Sequence, residues 1–123
     1  MPYPRWLAKV NKRVFNPREV SKGERPVVIH VGRSSGTVYK TPLDAYPTIG
    51  GHLLVVRYGP GSDWVRNVLA AGGASLRVDG EEFHLDSPRL VSRDDAVIQL
   101  APGVEPAKDF FKAEHYLLLS RTR

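Results

Sequence analysis

The chain has no cysteine among its 123 residues. Disulfides, iron–sulfur clusters, thiolate zinc sites and cysteine nucleophiles are excluded together. No stretch approaches the roughly 20 consecutive apolar residues that a membrane-spanning helix needs. The opening Met1-Pro2-Tyr3-Pro4-Arg5-Trp6 holds no apolar run leading to a small-residue cleavage site, so the expected compartment is the cytoplasm. A phosphate-binding loop ending Gly-Lys-Ser/Thr is missing, as is a dinucleotide-binding glycine pattern ahead of a helix. The histidines, His30, His52, His84 and His115, are never three or four residues apart, so no metal site is expected. Glu81-Glu82 follows a turn and reads as solvated. A hydrolase has little support from these residues.

Apolar residues make up 41% of the chain and charged residues 25%, which suits one globular domain over residues 1–123. The net charge of +5 is unevenly placed. Residues 1–25 hold seven bases against Glu19 and Glu24, which accounts for all of it; the eleven bases and eleven acids of residues 26–123 cancel. A nucleic-acid binder carries its positive charge on the folded surface, so nucleic acid is not an expected partner. A membrane surface, an acidic partner or a large anionic ligand fits better.

Tyr3, Trp6, Leu7, Val10 and Val14 recur at helical spacing, with Arg5, Lys9, Lys12 and Arg13 largely off that stripe. An amphipathic helix over 3–15, within an N-terminal segment 1–16, is expected either to pack on the body or to touch a membrane face peripherally. The body, 24–123, reads as a strand over 26–33, a loop, and a second strand over 38–49 bent at Pro42 and Pro47. Gly50-Gly51 then signals a hairpin, and His52–Tyr58 returns. Ser62 or Asp63 starts a helix that runs to Ala71 and stops at Gly72-Gly73. Residues 74–79, the turn Asp79-Gly80 and residues 81–91 form a second hairpin. Ser92 with Asp95 marks a short helix, a turn follows near 105–111, and His115–Arg121 is a last strand. About six antiparallel strands with flanking helices favour a small barrel, which hides sheet edges. An exposed apolar sheet face would make a homodimer plausible.

Two segments carry chemistry. Gly32-Arg33-Ser34-Ser35-Gly36, with Tyr39-Lys40-Thr41-Pro42, packs a guanidinium, an ammonium, hydroxyls and two glycines between apolar strands. Loop amides and serine hydroxyls can surround an oxyanion, and Arg33 and Lys40 supply countercharge. The second segment, Arg57-Tyr58-Gly59-Pro60-Gly61-Ser62-Asp63-Trp64, brings a glycine-rich loop to a helix start, where free N–H groups favour an anion. Asn67 lies one turn further on. An Asp63 carboxylate capping those amides would repel a phosphate, so a bound anion requires Asp63 to point away or to accept a bond from another group of the ligand.

Gly32-Arg33-Ser34-Ser35-Gly36-Thr37-Val38-Tyr39-Lys40-Thr41-Pro42-Leu43 resembles one signature of the deazaflavin-dependent nitroreductase and quinone reductase family. Tyr58-Gly59-Pro60-Gly61-Ser62-Asp63-Trp64-Val65-Arg66-Asn67-Val68-Leu69-Ala70-Ala71-Gly72-Gly73 resembles the second. Tyr3-Pro4-Arg5-Trp6-Leu7 and the closing apolar strand also fit, so the resemblance covers nearly the whole chain. It implies a split β-barrel of the flavin-reductase type that binds the deazaflavin coenzyme F420, which carries a phosphate and a polyglutamate tail. By position, Arg33, Ser34 and Ser35 would hold the phosphate end, and Lys40, Thr41 and Pro42 the next part of the groove. Arg57, Tyr58 and Gly59 would border the cofactor, and Asp63, Trp64 and Asn67 would complete its site. Lys40 stands where the family usually has Arg, which removes a bidentate fork but keeps the charge. Ser34 stands where a base is frequent.

The resemblance further implies hydride transfer from the reduced deazaflavin to a small electron-poor acceptor such as a quinone, an activated double bond or a nitro compound. Tyr3, Tyr46 and Tyr116 are conceivable proton donors. Some relatives meet substrate with a tyrosine just before the last strand, where this chain has Phe110 and Phe111, so no nitro-reducing role is carried over. Three rivals remain: a split barrel holding flavin mononucleotide, a non-catalytic F420 carrier, and a membrane-surface adaptor acting through the N-terminal helix.

Overall fold

The computed structural model describes residues 25–122, so the expected N-terminal helix over 3–15 lies outside the described residues. The elements run β1 (Val27–Val31), β2 (Val38–Pro42), β3 (Ala45–Pro47), β4 (Gly51–Val56), α1 (Asp63–Ala71), β5 (Gly73–Val78), β6 (Glu81–Ser92), α2 (Arg93–Gln99), a 3-10 turn (Lys108–Lys112) and β7 (His115–Arg121). All strand pairs are antiparallel, in the order β2-β1-β5-β6-β7-β4-β3. The described residues are mainly β, a sheet curled into a half-barrel with two α-helices, which agrees with a split β-barrel.

The expected six strands are seven. Residues 38–49 do not form one bent strand: Pro42 ends β2, and the chain changes partner within two residues. Leu43 N donates to Pro26 O at 2.9 Å beside β1, and Val55 N of β4 donates to Asp44 O at 3.0 Å. Pro47 ends β3, after which Thr48 bridges only to Leu100. A proline donates no ladder hydrogen bond, so each marks a strand end. The returning strand also stops at Val56, two residues short of the expected Tyr58.

Strand periodicity sorts the core. Leu54 and Val56 of β4 with Leu117 and Leu119 of β7 face one way, joining Val28, Leu76 and Leu85 under Val65 and Val68 of α1. Leu53, Val55 and Tyr116 face the other way, under Ala96 of α2 and Phe110 of the 3-10 turn. Strands buried on both faces explain why His52–Val56 reads as a continuous apolar run with little alternation. Strand β6 serves two neighbours: Glu81–Asp86 pairs with β5, and Leu85–Asp86 and Arg89–Ser92 pair with β7. The β6–β7 register shifts between Asp86 and Arg89, where Ser87 has φ +54°.

Helix α1 starts after Ser62 and ends at Gly72, whose φ of +81° is the left-handed stop expected of Gly72-Gly73. Asp79 and Gly80, at φ +48° and +84°, form the tight β5–β6 turn. Ser92 Oγ accepts from Asp95 N at 3.4 Å at the start of α2. None of the helices among the described residues is long and apolar enough to cross a membrane.

Candidate functional site

The β1–β2 connection is a compact turn. Gly32 N donates to Thr37 O at 2.8 Å, and Gly36 N donates back to Gly32 O at 2.9 Å. Gly36 sits at φ +73°. A Cβ on Gly32 would fall 2.7 Å from Ser35 Oγ and 2.9 Å from the Tyr39 ring, so this position takes no side chain without rearrangement. Ser35 Oγ accepts from Thr37 N at 3.1 Å, which fastens the turn from inside.

The turn is tied to α1 through Arg33. Its backbone N and its Nη1 both donate to Asn67 Oδ1, at 3.1 and 2.7 Å, and its Nη2 donates to Asp63 Oδ1 at 3.2 Å. Asp63 and Asn67 are four residues apart on the helix and therefore share a face. Ser62 does not cap α1 with its side chain; its hydroxyl donates to Gly59 O at 2.9 Å. The Asp63 carboxylate turns to Arg33 instead of closing the helix start. The conflict raised by an acid at this position is resolved by pairing.

Beneath Arg33 lies His30, two residues beyond Val28 on the core-facing side of β1. Asn67 Nδ2 lies 3.2 Å from His30 Nδ1, and His30 Nε2 lies 2.9 Å from Thr41 Oγ1. The Tyr39 ring stacks on the imidazole, with centroids 5.8 Å apart. Burial pushes the His30 pKa down from 6.5 to about 4, with the Asp63 charge pulling weakly the other way.

These groups surround an open groove of about 580 Å³, lined on the β1–β2 side by Arg33, Ser34, Ser35, Lys40 and Thr41 and on the helix side by Asp63, Trp64 and Asn67. With His30 neutral, Arg33 and Lys40 are the cations of the lining and Asp63, paired with Arg33, is its acid. Its inner wall of hydroxyls and amides offers hydrogen bonds, and the Trp64 indole, packed against the core, offers an apolar surface. The arrangement can hold an oxyanion and a flat apolar group side by side.

Other residues expected at the site lie elsewhere. Pro42 ends β2 outside this lining. Arg57 Nη2 pairs with Asp44 at 2.6 Å and Asp109 at 3.5 Å, and the Asp44 hydrogen bond raises its pKa above the ordinary arginine value. Tyr58 is 88% exposed, and Gly59 forms the loop before α1 at φ +90°. Of the conceivable proton donors, Tyr116 is fully buried and its hydroxyl bonds Phe110 O and Ala113 O. Tyr46 Oη accepts from Ala107 N at 3.2 Å, and Tyr3 lies outside the described residues. Phe110 is buried in the second core cluster, and Phe111 is half exposed.

His30 was missing from the sequence reading of the groove, and Tyr39 stood there only as part of its segment, with no role of its own. Their signal was cross-strand: they are direct partners in the β1–β2 register, two pairs from Val28–Thr41 and next to Val31–Val38, the last pair before the turn. Gly32-Arg33-Ser34-Ser35-Gly36 also has the Gly-x-Ser-x-Gly spacing of hydrolase nucleophile turns. Here it joins two strands rather than a strand and a helix, and the nearby His30 is engaged by Asn67 and Thr41. The sequence matches no protein-family model and no curated protein.

Proposed function

We propose that the groove holds the anionic coenzyme F420 and that the protein is an oxidoreductase passing its hydride to a small electron-poor acceptor, a quinone, an activated double bond or a nitro compound. The observation that carries this reading is the convergence of Arg33, Lys40, Ser34 and Thr41 with a helix start free of side-chain capping on one groove. The donor set fits a phosphate: every one of those groups can donate to an oxygen, and the Asp63 charge is already paired with Arg33. The family resemblance of the two segments that build the groove supplies the choice of coenzyme.

Reduced deazaflavin supplies the hydride when bound. The chain's own residues bind and orient. Arg33, held by Asn67 and Asp63, presents a fixed guanidinium, Lys40 adds a second charge from β2, and the Trp64 indole gives an apolar wall that excludes water. The proton that completes reduction of the acceptor comes from solvent or from an acid other than Tyr116 and Tyr46, whose hydroxyls are engaged away from the groove.

Flavin mononucleotide is the second reading, favoured by a specific observation. With Ser34 in place of a base, Arg33 and Lys40 are the only cations among the lining residues, which matches a single phosphate better than a polyglutamate tail. Fluorescence titration with both cofactors separates the readings: tight flavin mononucleotide binding without deazaflavin binding would replace the proposal. Oxidation of reduced deazaflavin with menadione present tests turnover, since a rate no higher than background leaves a carrier. Peripheral membrane contact through residues 3–15 is tested by vesicle co-sedimentation of the full chain and of one lacking residues 1–16.

A further inference from the structure

The hydrogen bonds beneath Arg33 have a direction that donor and acceptor chemistry fixes. Arg33 N and Nη1 are both donors, so the Asn67 atom they share, at 3.1 and 2.7 Å, must be its oxygen. The amide NH2 of Asn67 then faces His30 Nδ1 at 3.2 Å and can only donate. That ring nitrogen must therefore be the unprotonated one, and the proton of a neutral imidazole sits on Nε2. Nε2–H donates in turn to Thr41 Oγ1 at 2.9 Å. A hydroxyl that accepts at one lone pair still has its own proton to place, and among the described residues Thr41 Oγ1 has no other hydrogen-bond partner. Thr41 lines the groove.

We infer that Arg33, Asn67 and His30 form a one-way relay that sets the Thr41 hydroxyl as a donor into the groove, so that the inner wall selects an acceptor-only oxygen, a phosphate or carboxylate, over a ligand that must itself donate. Asn67 and His30 are positioning residues, and Thr41 is the residue that touches the ligand. The relay explains a buried histidine that no catalytic step uses. Burial that keeps the imidazole neutral agrees with it, because an imidazolium would set N–H against N–H at Asn67. The choice of ligand rests on the oxyanion reading of the groove; the direction of the relay does not.

Two readouts keep the inferences apart. Nitrogen-15 NMR of the histidine side chains in the ligand-free full chain is expected to place the His30 proton on Nε2. Asn67→Asp, which can only accept, is expected to bring a proton onto Nδ1. A native chain with its His30 proton on Nδ1 overturns the relay whatever binds. The second readout is affinity for F420 and for inorganic phosphate. Thr41→Val is expected to weaken both by about tenfold or more, as loss of a hydrogen bond to a charged group does, and Thr41→Ser to restore them to within about threefold. Thr41→Val binding both probes like the native chain overturns the donor role. Phosphate responding as expected while the coenzyme fails to bind ends the F420 proposal and leaves the relay standing. Absence of binding by either probe removes the oxyanion assignment.

Discussion

Pro42 and Ala45 stand three residues apart in the chain and on opposite edges of the seven-stranded sheet. Three peptide units span at most about 11 Å, so the sheet must curl until its first and last strands nearly meet. Leu43 and Asp44 form that seam, one hydrogen-bonded toward β1 and the other toward β4. The Asp44 carboxylate is held there by Arg57 at 2.6 Å and Arg25 at 3.4 Å.

Arg57 therefore belongs to the seam, and its loss should be felt there. Arg57→Ala is expected to cost no more than about 1 kcal/mol of stability, since the Arg57–Asp44 pair is partly exposed and screened by solvent. Coenzyme affinity should change less than about twofold, within the small effects of sites away from a ligand. Urea denaturation and cofactor titration of one preparation check both, and a tenfold loss of affinity would return Arg57 to the binding site.

Gly51 gives a sharper test of the barrel wall. A Cβ there would lie 1.9 Å from Leu119 O and 2.8 Å from Ser120 Cα, both backbone atoms of β7, whereas a Cβ on Gly50 meets nothing within 4 Å. Gly51→Ala is expected to destabilise by about 3 kcal/mol or more, at or beyond the upper end of overpacking costs, because a hydrogen-bonded strand must move. Gly50→Ala should be near neutral. Equal denaturation midpoints for the two variants would contradict the β4–β7 pairing.

The charge on the groove is tested by removing it. The Arg33→Ala/Lys40→Ala double variant is expected to lose roughly 2–4 kcal/mol of coenzyme affinity, the scale of two charge-assisted contacts, and to show weaker dependence on salt. The measurement is a fluorescence titration over a range of salt. Arg33→Ala also uncovers Asn67 Oδ1, so Lys40→Ala alone should reproduce part of the loss without touching the relay.

Strands and turns were legible where local chemistry decides them. Asp79-Gly80 and Gly72-Gly73 need left-handed backbone, and the apolar run of β7 needs burial on both faces. The split of residues 38–49 was half legible: Pro42 and Pro47 marked the breaks, but that the two pieces border opposite edges depends on strands distant in sequence. The groove shows the same division. Arg33, Lys40, Asp63 and Asn67 stood out as polar groups in glycine-bearing segments. His30 did not, because its role arises from a helix 37 residues further on reaching back to it. Arg57 shows the converse: its neighbours in sequence suggest the groove, and its partners in space are Asp44 and Asp109.

Tyr116 separates structural from chemical roles among the tyrosines. Its buried hydroxyl bonds Phe110 O and Ala113 O, and burial raises its pKa above the ordinary 10.0. Tyr116→Phe leaves Phe110 O without this donor, while Ala113 O keeps those of Arg93, and is expected to cost about 1–3 kcal/mol of stability. Turnover per folded molecule should not change. A variant of native stability with lost turnover would instead make Tyr116 the proton donor.

Stability should fall between neutral and mildly acid pH because of two buried histidines. His30 and His52 both have pKa values lowered from 6.5 to about 4, chiefly by burial; the Arg121 charge adds to the effect at His52 and Asp63 opposes it at His30. His52 packs against Phe83, with ring centroids 4.7 Å apart, and its Nδ1 has no partner among the described residues. Between these two pKa values the unfolded chain binds protons that the folded chain does not, so stability rises with pH through that window. The contribution is fully present above about 6.5 and is lost as pH falls toward about 4, at most about 3 kcal/mol for each histidine. Urea denaturation near pH 7 and near pH 5 at fixed salt is expected to differ by about 1–2 kcal/mol per histidine, carboxylates contributing little in that range. His52→Gln, which keeps a polar side chain but cannot be charged, should flatten the slope by about half. A chain equally stable at both pH values would mean that the imidazoles accept protons inside the fold, and the neutral His30 on which Asn67 and Thr41 depend would be lost with it.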